Sequence, residues 1–244
     1  MALSAPNSDQ QVLSQGQEIN VLLNTAVAYH QEGRFPEANL LYAKVRSIDP
    51  NNHSALQLSG VLAAQTGNIE ISLNLLSRAL SLKPDYPEAL SNRGNVLQKL
   101  GRFDEALQDY NKAISLKPDY IDALYNRGIS LKELGRFDEA MADYNKALSL
   151  KPDYPEALNN RGSVLQKLGR FDEALQDYNK AISLRPDHVE ALNSRGFALQ
   201  ELGRFDEAMA DYNKALSLKP DCPDILNNRG TALQNLECFD EALQ

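Results

Sequence analysis

Gly101-Arg102-Phe103-Asp104-Glu105-Ala106 decides the fold, because it returns at a fixed interval. The same six residues begin again at Gly135, Gly169 and Gly203, 34 residues apart each time. Backward steps of the same length reach Gly67 and then Gly33-Arg34-Phe35-Pro36-Glu37-Ala38. A forward step reaches Glu237-Cys238-Phe239-Asp240-Glu241-Ala242. Pro50, Pro84, Pro118, Pro152, Pro186 and Pro220 keep the same register. A period of this length marks a stack of supersecondary units. The units are 19–52, 53–86, 87–120, 121–154, 155–188, 189–222 and a partial 223–244, after a polar leader over residues 1–18.

Each unit reads as two helices. Counting Pro87 as position 1, Leu90, Gly94 and Leu97 form one apolar stripe at helical spacing, and Gly101 breaks the helix. The second helix starts near Phe103, with Asp104 and Glu105 in the first turn where the helix dipole favours acids, and stops before Pro118. Small residues at Gly94, Ala106 and Ala113 allow close approach of the two helices. These are called helix A and helix B of each unit below.

This pattern resembles the tetratricopeptide repeat family over residues 19–244, with an aromatic at Tyr110 and a proline at Pro118 beside the small residues. Ser72 and Val45 depart from the alanine pattern of helix B, and arginine stands at 93, 127, 161, 195 and 229 where the family usually has leucine. The resemblance implies an all-α, right-handed superhelical solenoid with its A helices lining a concave groove.

Composition excludes several classes. A net charge of −8 lacks the basic face that nucleic acid or an anionic membrane would need. No apolar run reaches the roughly 18 residues of a spanning helix, and the leader has no apolar core of a secretory signal. Cys222 and Cys238 fall at opposite ends of one helix, on the order of 20 Å apart at helical rise. That is too far for a disulfide, so free thiols in a cytoplasmic protein are expected. His30, His53 and His188 have no ligand partners at metal spacing, and no nucleophile, base or phosphate-cradling loop recurs. No cofactor, no metal and no catalytic role are expected.

The repeats contain their own control. Units 87–120 and 155–188 are identical at 30 of 34 positions. Units 121–154 and 189–222 differ at eight, all in helix A or at the last residue, among them Tyr125/Asn193, Asn126/Ser194, Ile129/Phe197 and Lys132/Gln200. Surface drift alone would also have altered exposed helix B residues such as Gln108 or Lys112. The variation therefore predicts a ligand-binding face on helix A, at Tyr125, Ile129, Asn159, Asn193 and Phe197. Asparagine recurs at position 6 as Asn24, Asn92, Asn126, Asn160 and Asn228. A carboxamide offers a donor and an acceptor that match a peptide bond, so the row predicts a grip on an extended peptide or partner protein. Arg93, Arg127, Arg161 and Arg195 pair in register with Asp109, Asp143, Asp177 and Asp211, which predicts a structural ion-pair ladder.

Two features point beyond a plain scaffold. The asparagine row and the stretch Ala55–Gln65 resemble the repeat region of bacterial O-linked N-acetylglucosamine-transferase-like proteins. That resemblance implies, as an alternative, a substrate-presenting arm of a larger enzyme. Leu23, Val27, Leu58 and Val61 form an apolar patch of the kind that marks an interface, to be covered by the leader or by a second copy. In the last unit, helix B is expected to begin near Phe239, leaving Leu233, Leu236, Phe239 and Leu243 as a further surface for self-association.

Overall fold

The computed structural model describes residues 8–242, with side chains over 15–236. The chain divides after Pro118 into two compact units. The first holds α1 (Ser8–Gln31), α2 (Phe35–Ile48), α3 (His53–Gln65), α4 (Ile69–Leu82), α5 (Pro87–Lys99) and α6 (Phe103–Leu116). The second holds α7 (Ile121–Glu133), α8 (Phe137–Leu150), α9 (Pro155–Lys167), α10 (Phe171–Leu184), α11 (Val189–Glu201), α12 (Phe205–Leu218) and α13 (Pro223–Ala242). Among the described residues there is no strand. The protein is an all-α helical repeat.

The hairpins follow from two glycine roles. Gly33, Gly67, Gly101, Gly135, Gly169 and Gly203 adopt φ between 72° and 80°, a left-handed conformation that only glycine enters freely. At each turn the helix closes on itself: Arg102 N–H reaches back to the Leu97 carbonyl at 2.9 Å and Gly101 N–H to Gln98 at 3.0 Å. The second role is close approach. A Cβ on Gly94 would stand 2.6 Å from the Tyr110 ring, and Gly128, Gly162 and Gly196 meet Tyr144, Tyr178 and Tyr212 in the same way. These four tyrosine rings are fully buried. Glycine in helix A is thus what lets an aromatic of helix B fill the hairpin core.

The last repeat shows what happens without the turn glycine. Glu237 stands in its place and Cys238 replaces the arginine that follows. The expected turn is absent, and α13 runs unbroken to Ala242. A β-carbon makes the left-handed position costly, whereas continuing the helix adds one hydrogen bond per residue. The expected start of a helix B near Phe239 is therefore corrected. Leu233 is partly exposed and Leu236 half-buried, while the side chain of Phe239 and the whole of Leu243 lie outside the described residues.

At the other end, α1 already begins at Ser8, so the leader from that point extends the first helix and does not turn back over the apolar patch. Residues 1–7 of the leader lie outside the described residues.

Packing within each unit places the candidate face. Each A helix touches the next A helix, as α1 touches α3, α3 touches α5, α7 touches α9 and α9 touches α11, whereas no B helix of a unit contacts the next B helix. The A helices consequently form the tighter, inner side of each unit.

Candidate functional site

The Arg–Asp ladder is present and holds this arrangement in place. Arg93 grips Asp109 with two bonds of 2.7 Å, and Arg127–Asp143, Arg161–Asp177 and Arg195–Asp211 repeat the fork. The aspartates are buried. The bond to Asp177 is the first cause that raises Arg161 above its ordinary value, against the opposing effect of burial. The same guanidinium extends to the preceding B helix, from Arg161 to Asn145 at 2.8 Å and from Arg195 to Asn179 at 2.7 Å. One side chain thus joins three helices. Its geometry is bidentate, the strong form of such pairs, and it leaves the A-helix face free of arginine.

On that face, position 6 of one repeat meets position 5 of the repeat before. Asn160 Nδ2 donates to the Tyr125 hydroxyl at 2.9 Å, and Asn228 Nδ2 donates to Asn193 Oδ1 at 3.1 Å. Between them the row is interrupted by Ser194, and there Asn159 Oδ1 is buried without a partner. Asn126 is half-buried on the same face, as is Asn92 on α5, whereas Asn24 is exposed on α1. Ile129 and Phe197 stand half-buried one turn along from Tyr125 and Asn193.

Tyr125 is the centre of an aromatic group. Its ring lies 4.9 Å from that of Tyr154 and 6.2 Å from that of Tyr144. Burial pushes the Tyr125 phenol up to about 12. One feature here escaped sequence reasoning. Tyr110 donates to Gln98 at 3.0 Å and Tyr178 to Gln166 at 3.1 Å, but Lys132 occupies the glutamine position in α7 and the Tyr144 hydroxyl is buried without a partner. The signal was the Lys132/Gln200 difference, legible only once the tyrosine was known to reach that position.

The apolar patch of the first unit is partly used inside the chain. Leu23, Val27 and Leu58 pack on Ala26, Tyr42 and Leu62. Val27, Leu58 and Val61 also line an open cavity of about 570 Å³, beside His30 and Gln65. His30 Nε2 and Gln65 Oε1 are 2.6 Å apart, and His30 Nδ1 and the Tyr42 hydroxyl 3.3 Å apart. Among the described residues no three metal-ligating side chains gather, and no helix is long and apolar enough to cross a membrane.

Stacked helical hairpins of this kind define a class, the helical repeat proteins. Comparison makes the assignment narrower. The family described as "TPR repeat" matches residues 60–101 and 130–169, and "Tetratricopeptide repeat" matches 87–120, 155–188, 189–222 and, in a second form, 109–142. Together these spans run without a gap from residue 60 to residue 222. The chain belongs to the tetratricopeptide repeat family.

Among curated proteins none matches. Solved structures do. The structure reported in "Functional Characterization of Pseudomonas Aeruginosa pilF" superposes with a TM-score of 0.80 at 18% identity, over 89% of this chain and 99% of that one. YrrB, described as a TPR protein with an unusual peptide-binding site, gives 0.63 at 22% identity, over 78% of this chain and 97% of its own. MamA gives 0.60 at 26% identity, over 70% and 94%. The first two likenesses are those of fold alone.

Proposed function

We propose that the protein is a non-catalytic interaction scaffold whose A-helix face in residues 119–244 holds an extended peptide or a segment of a partner protein. The observation that carries this reading is where the sister repeats differ. Apart from the last residue of each repeat and the Lys117/Arg185 exchange just past helix B, their differences fall in helix A, and Tyr125/Asn193, Asn126/Ser194 and Ile129/Phe197 all stand half-buried on the face where successive A helices meet. The carboxamides of Asn126, Asn160 and Asn228 bind the backbone of the ligand, independent of its sequence. Two of them already bond to position 5 of the repeat before, which aligns the amide and leaves it further hydrogen-bonding capacity. Tyr125, Ile129 and Phe197 choose among ligands, since apolar anchors in a polar groove act as hot spots. YrrB, with its peptide-binding site, is a precedent for the class of ligand. The setting that fits the two cysteines is the reducing cytoplasm.

The test is a peptide-display selection on the wild type and on a Tyr125→Ala/Ile129→Ala/Phe197→Ala variant. The expected outcome is that both select peptides, but different ones. Identical selections from both would remove the assigned role of the three side chains, and no selection from a folded wild type would remove the reading itself. A second reading, a substrate-presenting arm, draws on the asparagine row. A coding sequence that continues past Gln244 into a glycosyltransferase domain would establish it.

A further inference from the structure

A cleft of about 470 Å³ lies between α2, α3 and α4, lined by Arg46, Ser59, Leu62, Ile71 and Leu75 among others. It is off the arc of α3 that carries Leu58 and Val61, so it is not part of the A-helix face. The same place in a later repeat, between α10, α11 and α12, holds a smaller space of about 280 Å³ lined by Arg195, Arg204, Glu207 and Asp211. The correspondence runs residue by residue at four repeat lengths. Ser59 stands where Arg195 does, Asn68 where Arg204, Ile71 where Glu207 and Leu75 where Asp211. All four charges that fill the later site are gone from the earlier one. Ala63 in place of Leu199 opens it further.

One charge has been added. Arg46 occupies a position that is Leu80, Ile114, Leu148, Ile182 and Leu216 in the other B helices. Its Nε is buried without a partner, and among the described residues no carboxylate pairs with it. Ser59 Oγ, on a side chain only 4% exposed, is likewise without a partner. Buried polar atoms are ordinarily bonded, and a guanidinium partly out of water favours an anion beside it. Both residues line the cleft, Ser59 buried and Arg46 half-buried with its Nε inward. The cleft is open, with Ile71 57% exposed and Asn39, Thr66 and Asn68 beside Phe35 and Pro36 in its lining.

We infer that this cleft is a second binding site, which takes the C-terminal end of a partner polypeptide with apolar last residues. The terminal carboxylate enters first and pairs with the Arg46 guanidinium and the Ser59 hydroxyl. The apolar side chains behind it pack on Leu62, Leu75 and Ile71. A chain end fits a site whose unpartnered polar atoms are buried, because a chain running through would leave its backbone amides against the apolar lining. The apolar lining of Phe35, Leu62, Leu75 and the exposed Ile71 favours a polypeptide over a small carboxylic acid, which would leave it uncovered. The cavity itself falls in the ordinary range of ligand sites, about 300–1,000 Å³.

The probes are acetyl-Ala-Leu-Ile with a free carboxylate and the same peptide with a C-terminal amide. Binding is read from the backbone amide signals of Ser59, Ile71 and Leu75 in the full chain. The acid is expected to bind wild type at least about ten-fold more tightly than the amide, the effect of one charge-assisted contact. Arg46→Leu, which restores the residue type of the other repeats, is expected to bring the acid down to the level of the amide. Ser59→Arg with Leu75→Asp rebuilds the ion pair of the later repeats and is expected to abolish binding of both. Should that double variant fail to fold, Ile71→Glu, the Glu207 equivalent, serves the same purpose on the rim. The inference is overturned if neither peptide shifts these signals at millimolar concentration, or if acid and amide bind alike. Unchanged binding by the folded double variant or by Ile71→Glu overturns it too. Because no residue of the A-helix face is altered, its failure leaves the proposed peptide groove untouched.

Discussion

The space between α2, α3 and α4 and its counterpart between α10, α11 and α12 have the same place in the repeat and opposite contents. The later one contains a bidentate pair, Arg195 on Asp211, with Arg204 and Glu207 bonded at its mouth at 2.7 Å. The earlier one has Ser59, Leu75, Asn68 and Ile71, and a half-buried Arg46 in its lining. A repeat fold tolerates this because the hairpins α5–α6, α7–α8, α9–α10 and α11–α12 are each secured twice, once by the glycine–tyrosine contact and once by the ion pair. In the hairpin of α3 and α4, Leu76 replaces the tyrosine against Gly60, and Ser72 donates to the Gly60 carbonyl at 2.7 Å. Apolar packing and one buried hydroxyl do there what the ring and the ion pair do later. The site once needed for stability becomes available for another use.

The largest expected effect comes from removing the ion pair where it exists. Arg161→Ala leaves Asp177 buried and unpaired, and the unfolding free energy should fall by about 1–3 kcal/mol. Ser59→Ala at the equivalent place should change it by less than about 0.5 kcal/mol, the usual scatter of a site with no partner to strand. Chemical denaturation of both variants checks the contrast, and equal losses would break it.

A smaller effect separates the two kinds of hairpin core. Gly162→Ala puts a methyl group 2.7 Å from the Tyr178 ring. Overpacking by a methyl group costs about 1–3 kcal/mol, offset by about 1 kcal/mol of helix propensity. Gly60→Ala meets Leu76 Cγ at 2.7 Å, but a leucine has other rotamers whereas a buried ring has nowhere to turn. The first variant is expected to melt lower than the second.

Acid titration should show the smallest difference. Bonds from Arg102, Arg136, Arg170 and Arg204 hold Glu105, Glu139, Glu173 and Glu207 below the ordinary 4.5. A carboxylate lowered in the folded state contributes stability above its unfolded value, and loses it as the pH falls through the folded one. Melting temperature should therefore decline below about pH 4.5. A variant with these four arginines changed to Gln should decline less over that window, and an equal decline would show that the pairs contribute nothing. In the α3–α4 hairpin Asn68 and Ile71 stand at these two positions, so it is expected to add nothing here.

Most of this fold was legible in the chain, because its determinants are local and recur. A glycine every 34 residues can be seen without knowing what it touches, and the arginine and aspartate rows were readable as partners from their register alone. Glu237 in the glycine register also carried its message, an uninterrupted α13, though it was outweighed by the Phe-Asp-Glu-Ala that follows. The A-helix face was legible as a face but not as a network. That Asn160 reaches Tyr125 and Asn228 reaches Asn193 depends on distances across repeats, which no spacing along the chain reports. The cleft of the first unit had a signal in plain view, an arginine at a position that is aliphatic in every other complete repeat. Its meaning needed the packed structure, since a charged side chain on a helix ordinarily reaches water.

Recognition by helix A and stability from the glycine–tyrosine contacts and ion pairs are separate in this account, and one measurement tests that separation. Calorimetric titration of a selected peptide into wild type and into Asn126→Ala/Asn160→Ala/Asn228→Ala, with melting temperature taken on the same samples, reads both at once. Each carboxamide is expected to contribute about 0.5–1.5 kcal/mol of binding. The triple variant should then bind about 10- to 2,000-fold more weakly, if the sites add, and melt within a few degrees of wild type. Wild-type affinity in the folded triple variant would contradict the claim that these side chains hold the ligand.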